Sequence, residues 1–144
     1  MLVLGTVING YCSRLARTVY LGRLSPEFQS VYQIVRDAQQ RALDGIRAGM
    51  PTRAADALAR SFIESAGYGS RFGHGLGHSL GLDPHEPPDL HPQDPDTLRP
   101  NMVLTVEPGI CLRGSFGVRL GDVIRVTDDC CELLSHSPRA LRIL

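Results

Sequence analysis

The segment FGHGLGHSLGLDPHE, Phe72–Glu86, places three histidines among closely spaced glycines. His74 and His78 are four residues apart, and His85 follows seven residues later. Each glycine destabilises a helix by about 1 kcal/mol relative to alanine. Glycines at every second position instead suit an extended strand that a ligand or another backbone approaches closely. Because histidine carries protons near neutral pH and is the commonest metal ligand, the segment predicts a strand at a chemically active site.

The composition indicates an ordinary globular domain and excludes two classes of partner. Hydrophobic residues make up 42% of the 144 residues and charged residues 21%, values that suit one domain covering residues 1–144. Lys plus Arg and Asp plus Glu both total 15, so no excess charge favours nucleic acid or an anionic membrane surface. No apolar run approaches the roughly 20 residues of a membrane-spanning helix. We therefore expect no nucleic-acid and no membrane partner.

The N-terminus and the cysteines both predict a cytoplasmic location. Met1–Gly5 lacks the basic lead and the length of a signal peptide. None of the cysteines lies in a C-x-x-C pair, and the neighbours Cys130 and Cys131 are poorly placed to bridge each other. We therefore expect free thiols in a cytoplasmic protein.

Turn and cap signals predict the elements of the first half of the chain. The dipeptide Asn9-Gly10 is the strongest short hairpin signal and predicts two strands, the second near Ala16–Leu21. The range Ser25–Gly49 begins with a serine N-cap and a proline and continues with one apolar face, which predicts a helix. A second helix is predicted over Thr52–Gly67, with the threonine as its cap.

The second half of the chain reads as a loop followed by strands. Pro84–Pro100 holds six of the ten prolines and predicts a loop. Asn101–Gly109, Gly117–Thr127 and Cys131–Leu134 each predict a strand. Two amphipathic helices after a hairpin predict an α+β domain, with helices covering one face of an antiparallel sheet.

Several motifs follow one another in the order of a known family. They are NGYCS at residues 9–13 with Arg17-Thr18, GHGLGH at 73–78, HE at 85–86, VLTVEPG at 103–109 and GVR at 117–119. In this order they resemble the signatures of the pita-bread metallopeptidases, which include Xaa-Pro aminopeptidases, prolidases, methionine aminopeptidases and creatinase. The wording is closest to the Xaa-Pro aminopeptidase and prolidase branch. The resemblance implies the α+β pita-bread fold, also called creatinase/aminopeptidase-like, in which helices cover a curved antiparallel sheet.

The resemblance also implies that the domain is incomplete on its N-terminal side. Complete domains of the family carry further sheet and helix before the first ligand strand. We therefore expect an open sheet edge, which a second copy of the chain or a partner chain would cover.

The metal ligands that the resemblance implies are only partly present. The active family holds two divalent ions, typically manganese, cobalt or zinc, with two aspartates, one histidine and two glutamates. His78 matches the histidine, and Glu107 matches the first glutamate. Val3 and Arg14 stand at the two aspartate positions, and Gly121 stands at the last glutamate position. Two ligands are too few for a tight dinuclear site, so we expect no metal cofactor.

Two charged residues near the missing ligands have separate implications. Asp122 stands one residue past the last glutamate position, where a strand points its side chain to the opposite face, so we do not expect it to replace that ligand. Arg14 brings a fixed positive charge. Our hypothesis is that its guanidinium pairs with Glu107 and takes over part of the charge neutralisation that metals provide in the family.

The remaining histidines and Arg119 complete the set of candidate residues. His74 and His85 match family histidines that bind substrate and shuttle protons, and Arg119 matches an arginine that orients the site. Without metals, His74 and His85 are also explained as hydrogen-bonded structural histidines. His91 and His136 match no motif and are expected at the surface.

Three functions follow from this pattern. The first is an Xaa-Pro peptidase-like domain that has lost dinuclear metal binding and hydrolysis, and that remains as a remnant or binds proline-containing peptides. The second is an active Xaa-Pro aminopeptidase or dipeptidase, whose missing ligands come from a partner chain. The third is a mononuclear metal site on His78 and Glu107, completed by His74 or His85.

Overall fold

A computed structural model describes residues 1–144 of the chain. The chain begins with an antiparallel hairpin. Strand β1, Leu2–Ile8, pairs with strand β2, Tyr11–Arg17. Between them Asn9 and Gly10 have φ angles of 52° and 86°. A two-residue type I′ turn requires positive φ at both positions, so the predicted turn is confirmed.

The second strand does not lie where the sequence placed it. The prediction put it near Ala16–Leu21, but β2 begins directly after the turn. A two-residue turn reverses the chain at once, which leaves no connecting residues before pairing resumes. A separate short strand, β3, follows at Val19–Tyr20.

The two predicted helices are confirmed, with shorter C-terminal ends. Helix α1 spans Pro26–Gly45 and helix α2 spans Thr52–Ser65. The Ser25 hydroxyl accepts a hydrogen bond from the Phe28 N–H, as an N-cap does. The apolar face of α1 is buried at Phe28, Val31, Tyr32, Val35, Ala38 and Ala42. The periodicity therefore identified the face that packs against the sheet.

Thr52 does not cap α2 as predicted. It is the first residue of the helix, and no side chain caps the helix at Pro51. Its buried hydroxyl donates instead to Asp94 Oδ1 at 2.7 Å. The threonine therefore joins the start of α2 to the loop that contains Asp94. Only long-range packing decides this contact, because the two residues are far apart in sequence.

The remaining strands form most of the sheet structure. They are β4 (Gly77–Ser79), β5 (Glu86–Leu90), β6 (Val103–Val106), β7 (Gly109–Leu112), β8 (Phe116–Arg119), β9 (Asp122–Val126), β10 (Cys131–Leu133) and β11 (Arg142–Ile143). Five of them make an antiparallel sheet in the order β10, β9, β6, β4, β5. Strands β7 and β8 form a separate hairpin, and β11 pairs with β3. The predicted α+β class with an antiparallel sheet is confirmed.

Two sequence predictions about these strands were wrong. The proline-rich range Pro84–Pro100 contains β5, which is an edge strand of the sheet. Prolines are tolerated at an edge because no neighbouring strand needs their missing N–H group. The range Gly117–Thr127 is also not one strand but two, β8 and β9. The interruption is at Gly121, which bridges to Ala16 of the first hairpin.

The strand predicted from the glycine spacing begins only at Gly77, and the predicted close approach is found at Gly75 and Gly77 but not at Gly73, which has no neighbour within 4 Å. A Cβ atom added to Gly77 would lie 1.9 Å from the Thr105 carbonyl oxygen. No side chain fits there, so the glycine permits the close approach of β4 to β6. This close packing places His78 beside the end of β6.

The hydrophobic core lies between the two helices and the main sheet, whereas β1 lies outside it. The core cluster contains 21 buried residues, none of which comes from β1. Every residue of β1 is exposed. The hairpin is joined to the main sheet through reciprocal backbone hydrogen bonds between Ala16 and Gly121. Neither helix combines the length and the hydropathy that crossing a membrane requires.

Candidate functional site

Residues from five segments converge on one polar cavity of about 240 Å³. None of the side chains that line this cavity is hydrophobic. Strand β4 contributes His78, the end of β6 is followed by Glu107, and the loop before β4 contributes His74. Strand β2 contributes Arg14, and β8 contributes Arg119. The structure thus brings together the matched ligands and the matched substrate residues.

His78 and Glu107 form a buried pair at the centre of the cavity. The two residues are 6% and 5% exposed, and His78 Nε2 lies 3.2 Å from Glu107 Oε1. His78 Nδ1 lies 2.9 Å from the Ser79 carbonyl, which can only accept, so Nδ1 carries a proton. Nε2 then reaches the carboxylate as a second donor, and the imidazolium form is favoured. The hydrogen bond with Glu107 accordingly raises the pKa of His78, against the opposing effect of burial.

Arg14 lies against Glu107, as our hypothesis required. Its Nε atom is 3.3 Å from Glu107 Oε2, and Arg119 Nη1 is 3.7 Å from the same oxygen. The 3.3 Å contact is an ion pair rather than a hydrogen bond, because neither atom has an aligned hydrogen-bond partner. Burial by itself would raise the pKa of Glu107, but the His78 hydrogen bond and the two guanidinium charges lower it. Glu107 is therefore a carboxylate surrounded by positive charge.

The three positions without a family ligand lie on the first hairpin and directly before β9. Val3 pairs with Ala16, and Gly5 pairs with Arg14, so Val3 lies on the same face of the hairpin as Arg14. A Cβ atom at Gly121 would lie 3.0 Å from the Cβ of Glu107. Arg14 and Gly121 therefore lie next to Glu107, and Val3 shares the hairpin face of Arg14.

The residues present do not fit a dinuclear metal centre. Two dications need several anionic oxygens, and here Glu107 is the one carboxylate at the matched positions. The Arg14 guanidinium already places a cation 3.3 Å from that carboxylate. No group of three or more histidine, cysteine, aspartate or glutamate side chains is arranged to hold a metal ion.

His74 and Arg119 are joined in one contact. His74 Nδ1 donates to the Gly75 carbonyl at 2.7 Å, and Nε2 accepts from Arg119 Nη2 at 2.8 Å. This pair of contacts requires the neutral imidazole. Burial, with a further contribution from the Arg119 charge, lowers the pKa of His74. Because Nε2 is occupied by a cationic donor, His74 does not complete a three-ligand metal site.

His85 stacks on His78 at the mouth of the cavity. The ring centroids are 3.9 Å apart and the rings are nearly parallel, at 10°. His85 Nε2 contacts Asp89 Oδ1 at 2.8 Å, and the side chain is 61% exposed. The ring therefore covers one face of His78 while its own nitrogen is directed to Asp89. His85 is therefore not placed to complete a mononuclear metal site on His78 and Glu107.

Two residues of the cavity were not identified from the sequence. His91 was expected at the surface, but it is half-buried and lines the cavity, so that prediction was wrong; His136 is exposed as expected. Asp89 pairs directly with His78 across β4 and β5. Recognition of an edge strand over Glu86–Leu90 would have placed Asp89 in the site, because antiparallel pairing sets that neighbour.

A buried ion pair on α2 supports the loop that carries His74. Arg60 contacts Asp56 through two nitrogens and donates to the Phe72 and His74 carbonyls. Asp56 Oδ1 also accepts the Leu76 N–H at 2.9 Å. The i, i+4 spacing of Asp56 and Arg60 could have indicated their ion pair from the sequence. The contacts of this pair with the loop depend on tertiary packing.

Asp122 is separate from the site, as predicted from its one-residue offset. The carboxylate is buried and bonds Arg17 Nη2 at 2.6 Å and Gln39 Nε2 at 2.9 Å. Arg17 also donates to the carbonyls of Gly121, Ser137 and Pro138. Asp122 therefore holds the hairpin, helix α1 and the C-terminal segment together.

Comparison with known proteins identifies relatives over nearly the whole chain. Residues 1–128 match the model of metallopeptidase family M24. An uncharacterised peptidase of Staphylococcus haemolyticus is 45% identical over 133 residues, which are 92% of this chain and 38% of that protein. The solved Xaa-Pro dipeptidase from Bacillus anthracis is 46% identical with a TM-score of 0.92, over 94% of this chain and 38% of that one. The X-Pro aminopeptidase from Thermotoga maritima is 39% identical with a TM-score of 0.95, over 99% of this chain and 40% of that one.

These relatives confirm the family resemblance and the pita-bread fold predicted from the motifs. The chain spans about 40% of the length of the proteins that it matches. Residues 1–128, which match the family model, include the two helices, four of the five strands of the main sheet and every residue of the candidate site.

Proposed function

The chain belongs to metallopeptidase family M24, and on that premise we propose its function. It is an Xaa-Pro peptidase-like domain that has lost dinuclear metal binding and hydrolysis, and that binds peptide in the remaining cleft. The observation that carries this proposal is the 3.3 Å ion pair between Arg14 Nε and Glu107 Oε2.

The charge balance of the site supports the loss of metal binding. In the family, carboxylates offset the charge of two dications, and the dications lower the pKa of a shared water to make a nucleophile. Here Arg14 and Arg119 already offset the charge of Glu107. Removing that ion pair to admit a cation would leave a guanidinium beside a dication, which like-charge repulsion disfavours.

The cleft itself supports peptide binding. The Arg119–His74 contact keeps an oriented donor beside the cavity, and His85 remains accessible at its mouth. Such groups hold and orient a peptide without any bond being broken. Proline-containing peptides are the ligand class to test first, because the chain resembles proteins named Xaa-Pro dipeptidase and X-Pro aminopeptidase.

A second function is favoured by the position of the missing ligands. Val3 and Arg14 both lie on the first hairpin, whose strand β1 is exposed at every residue. A second copy or a partner chain that pairs with this edge would lie next to the cavity and could supply carboxylates. In that case the assembly would be an active metal-dependent Xaa-Pro peptidase. Under either function, we propose that another chain covers the β1 edge and that the protein is cytoplasmic.

Metal analysis and an activity assay on the purified chain separate these functions. We expect no stoichiometric manganese, cobalt or zinc after dialysis, and no hydrolysis of an Xaa-Pro dipeptide with added Mn²⁺. Calorimetric titration with a proline-containing peptide should nevertheless show binding. Metal with turnover would contradict the first function and support the second, whereas stoichiometric metal without turnover would support a mononuclear site.

Glu107→Gln provides the matched control for the activity assay. It removes the carboxylate while keeping the size of the side chain and a hydrogen-bonding group. Turnover by the wild-type chain that persists in this variant would come from a contaminating peptidase, and only turnover that the variant lacks would count against the proposal.

A further inference from the structure

Two guanidiniums in the polar cavity face the same buried carboxylate. The guanidiniums of Arg14 and Arg119 both lie within 4 Å of the single oxygen Glu107 Oε2. Arg119 directs another nitrogen to His74, which is neutral in that contact and therefore does not offset the charge of the arginine. At Glu107 two guanidiniums therefore face one carboxylate, while the second carboxylate of the cavity, Asp89, contacts His85 Nε2 at 2.8 Å instead. This local excess stands out in a chain whose formal net charge is zero.

Arg14 also retains unused hydrogen-bonding capacity. A guanidinium has five N–H donors, and the ion pair of Arg14 is with Glu107 alone. Its Nε atom is buried and has no aligned partner, and Glu107 Oε2 is in the same condition. Buried donors without partners are costly, so a ligand that accepts from Arg14 would be favoured. The planar fork of a guanidinium matches the two oxygens of a carboxylate.

A second cavity continues the first and has a different character. It has a volume of about 460 Å³ and shares His74 and Arg119 with the polar cavity. Its lining includes Arg71 and Arg113 and no acidic side chain, whereas its aliphatic residues Ile110 and Val118 belong to the buried core. The combined cleft therefore offers further positive charge and room for more of a bound peptide, within the size range of small-ligand sites.

We propose that this cleft binds a peptide through a carboxylate group, which accepts hydrogen bonds from Arg14 and Arg119 while the adjoining part of the peptide lies in the second cavity. The position that holds cations in the family would thus hold an anion in this chain. Inorganic phosphate would engage the arginines as well but would leave the second cavity unused. This inference rests on the proposed function, since it specifies which chemical group of the peptide is recognised.

Paired peptides test the inference on the full chain by calorimetry. The first is N-acetyl-Ala-Ala-Pro-Leu with a free C-terminal carboxylate, and the second is the same peptide as its C-terminal amide. One charge-assisted interaction predicts about tenfold tighter binding of the free acid. A third peptide, amidated and ending in Glu instead of Leu, separates the sources of the carboxylate. Tight binding of that peptide would support a side-chain carboxylate, and weak binding with a tight free acid would support the C-terminus.

Arginine variants test the position of the carboxylate. Arg14→Gln should reduce the preference for the free acid to within about twofold, whereas Arg14→Lys should keep part of it because the charge remains. Arg125→Gln is the matched control, since Arg125 lies on β9 and pairs with Glu132 outside the cleft. Circular dichroism of each variant checks the fold, and Arg14→Lys keeps the test decisive if Arg14→Gln fails to fold.

The outcomes distinguish this inference from the proposed function. Equal binding of the free acid and both amides would overturn the carboxylate site while leaving peptide binding intact. An acid preference that survives in Arg14→Gln would overturn the placement at Arg14. Binding of inorganic phosphate without binding of any peptide would also overturn the inference. Hydrolysis of the peptides with added Mn²⁺ would overturn the proposed function, whichever carboxylate preference was observed.

Discussion

The buried central sheet and the exposed first hairpin contribute opposite halves of the candidate site. The sheet holds His78 and Glu107, which match family ligands and are 6% and 5% exposed. The hairpin holds Val3 and Arg14, which do not match, and β1 is exposed along its whole length. Ligand-type residues are thus present at two buried positions of the sheet, and they are absent from the exposed hairpin and from the buried Gly121 that bridges to it.

The difference has a physical explanation in the contacts of the two halves. The His78 ring contacts the Ser79 carbonyl and the Glu107 carboxylate. Changing the side chain would remove both of these contacts from the buried site. Val3 is 45% exposed and does not belong to the hydrophobic core, so many residues fit there at little cost in stability.

The largest expected effect on stability comes from removing the Arg17–Asp122 ion pair, which joins the hairpin to the sheet. Asp122→Ala should lower the free energy of unfolding by about 3–5 kcal/mol, because it leaves the buried Arg17 cation without its counter-charge. Urea denaturation followed by circular dichroism measures the change. Asp128→Ala, in an exposed turn, is the control and should change stability by no more than about 0.5 kcal/mol. Similar values for the two variants would show that the hairpin and sheet are not held together through Asp122.

The next prediction compares one leucine from each region. Leu104→Ala removes a fully buried side chain from β6 and should cost about 2–5 kcal/mol. Leu4→Ala on β1, where the side chain is 59% exposed, should cost about 0.5 kcal/mol or less. Denaturation midpoints of both variants give the comparison. A large loss in Leu4→Ala would mean that another chain covers the hairpin in solution and would sharpen the partner proposal.

Restoring carboxylates at the three positions without a family ligand should convert the candidate site into a metal-binding one. The triple variant Val3→Asp, Arg14→Asp and Gly121→Glu should bind Mn²⁺ at least about tenfold more tightly than wild type, because it adds three carboxylates and removes a cation. Calorimetric titration with Mn²⁺ measures this. The same variant should lose about 1–3 kcal/mol of stability, since a Cβ at Gly121 lies 3.0 Å from the Cβ atoms of Ala16 and Glu107.

A neighbouring substitution controls for simple addition of charge. Replacing Val3→Asp by Leu4→Asp in the triple variant keeps the same net charge but points the carboxylate to the other face of β1. We expect weaker Mn²⁺ binding by this control than by the triple variant. Equal affinity of the two would argue against convergence of the hairpin face on Glu107.

The smallest expected effect is a pH dependence within the buried half. Glu107→Gln should lower the pKa of His78 below its wild-type value, because the hydrogen bond with Glu107 is the main cause that raises it. A histidine whose folded pKa is raised contributes stability below its ordinary value of 6.5. That contribution is lost as the pH rises through the folded pKa. NMR titration of the His78 ring, with urea denaturation at several pH values, should show a smaller loss in the variant than in wild type.

Local sequence signals predicted the parts of the fold that local physics decides. Asn9-Gly10 forms the expected turn, and Ser25 caps the expected helix, because both depend on a few adjacent residues. The strand at Glu86–Leu90 was missed because its prolines are tolerated only at a sheet edge, and the sequence does not show which strand is the edge. His91 was missed for the same reason, since it follows that strand.

The sequence by itself determined the α+β class, the family motifs and the identity of the residues at the five ligand positions. These depend on residue type and spacing, which are read along the chain. The tertiary structure alone decided that Arg14 reaches Glu107 at 3.3 Å and that Arg119 donates to His74 at 2.8 Å. Those contacts join segments far apart in sequence, and strand register and core packing set their distances. The arginine at a position where the family motif has an aspartate is therefore visible in the sequence, whereas its partner Glu107 is visible only in the folded chain.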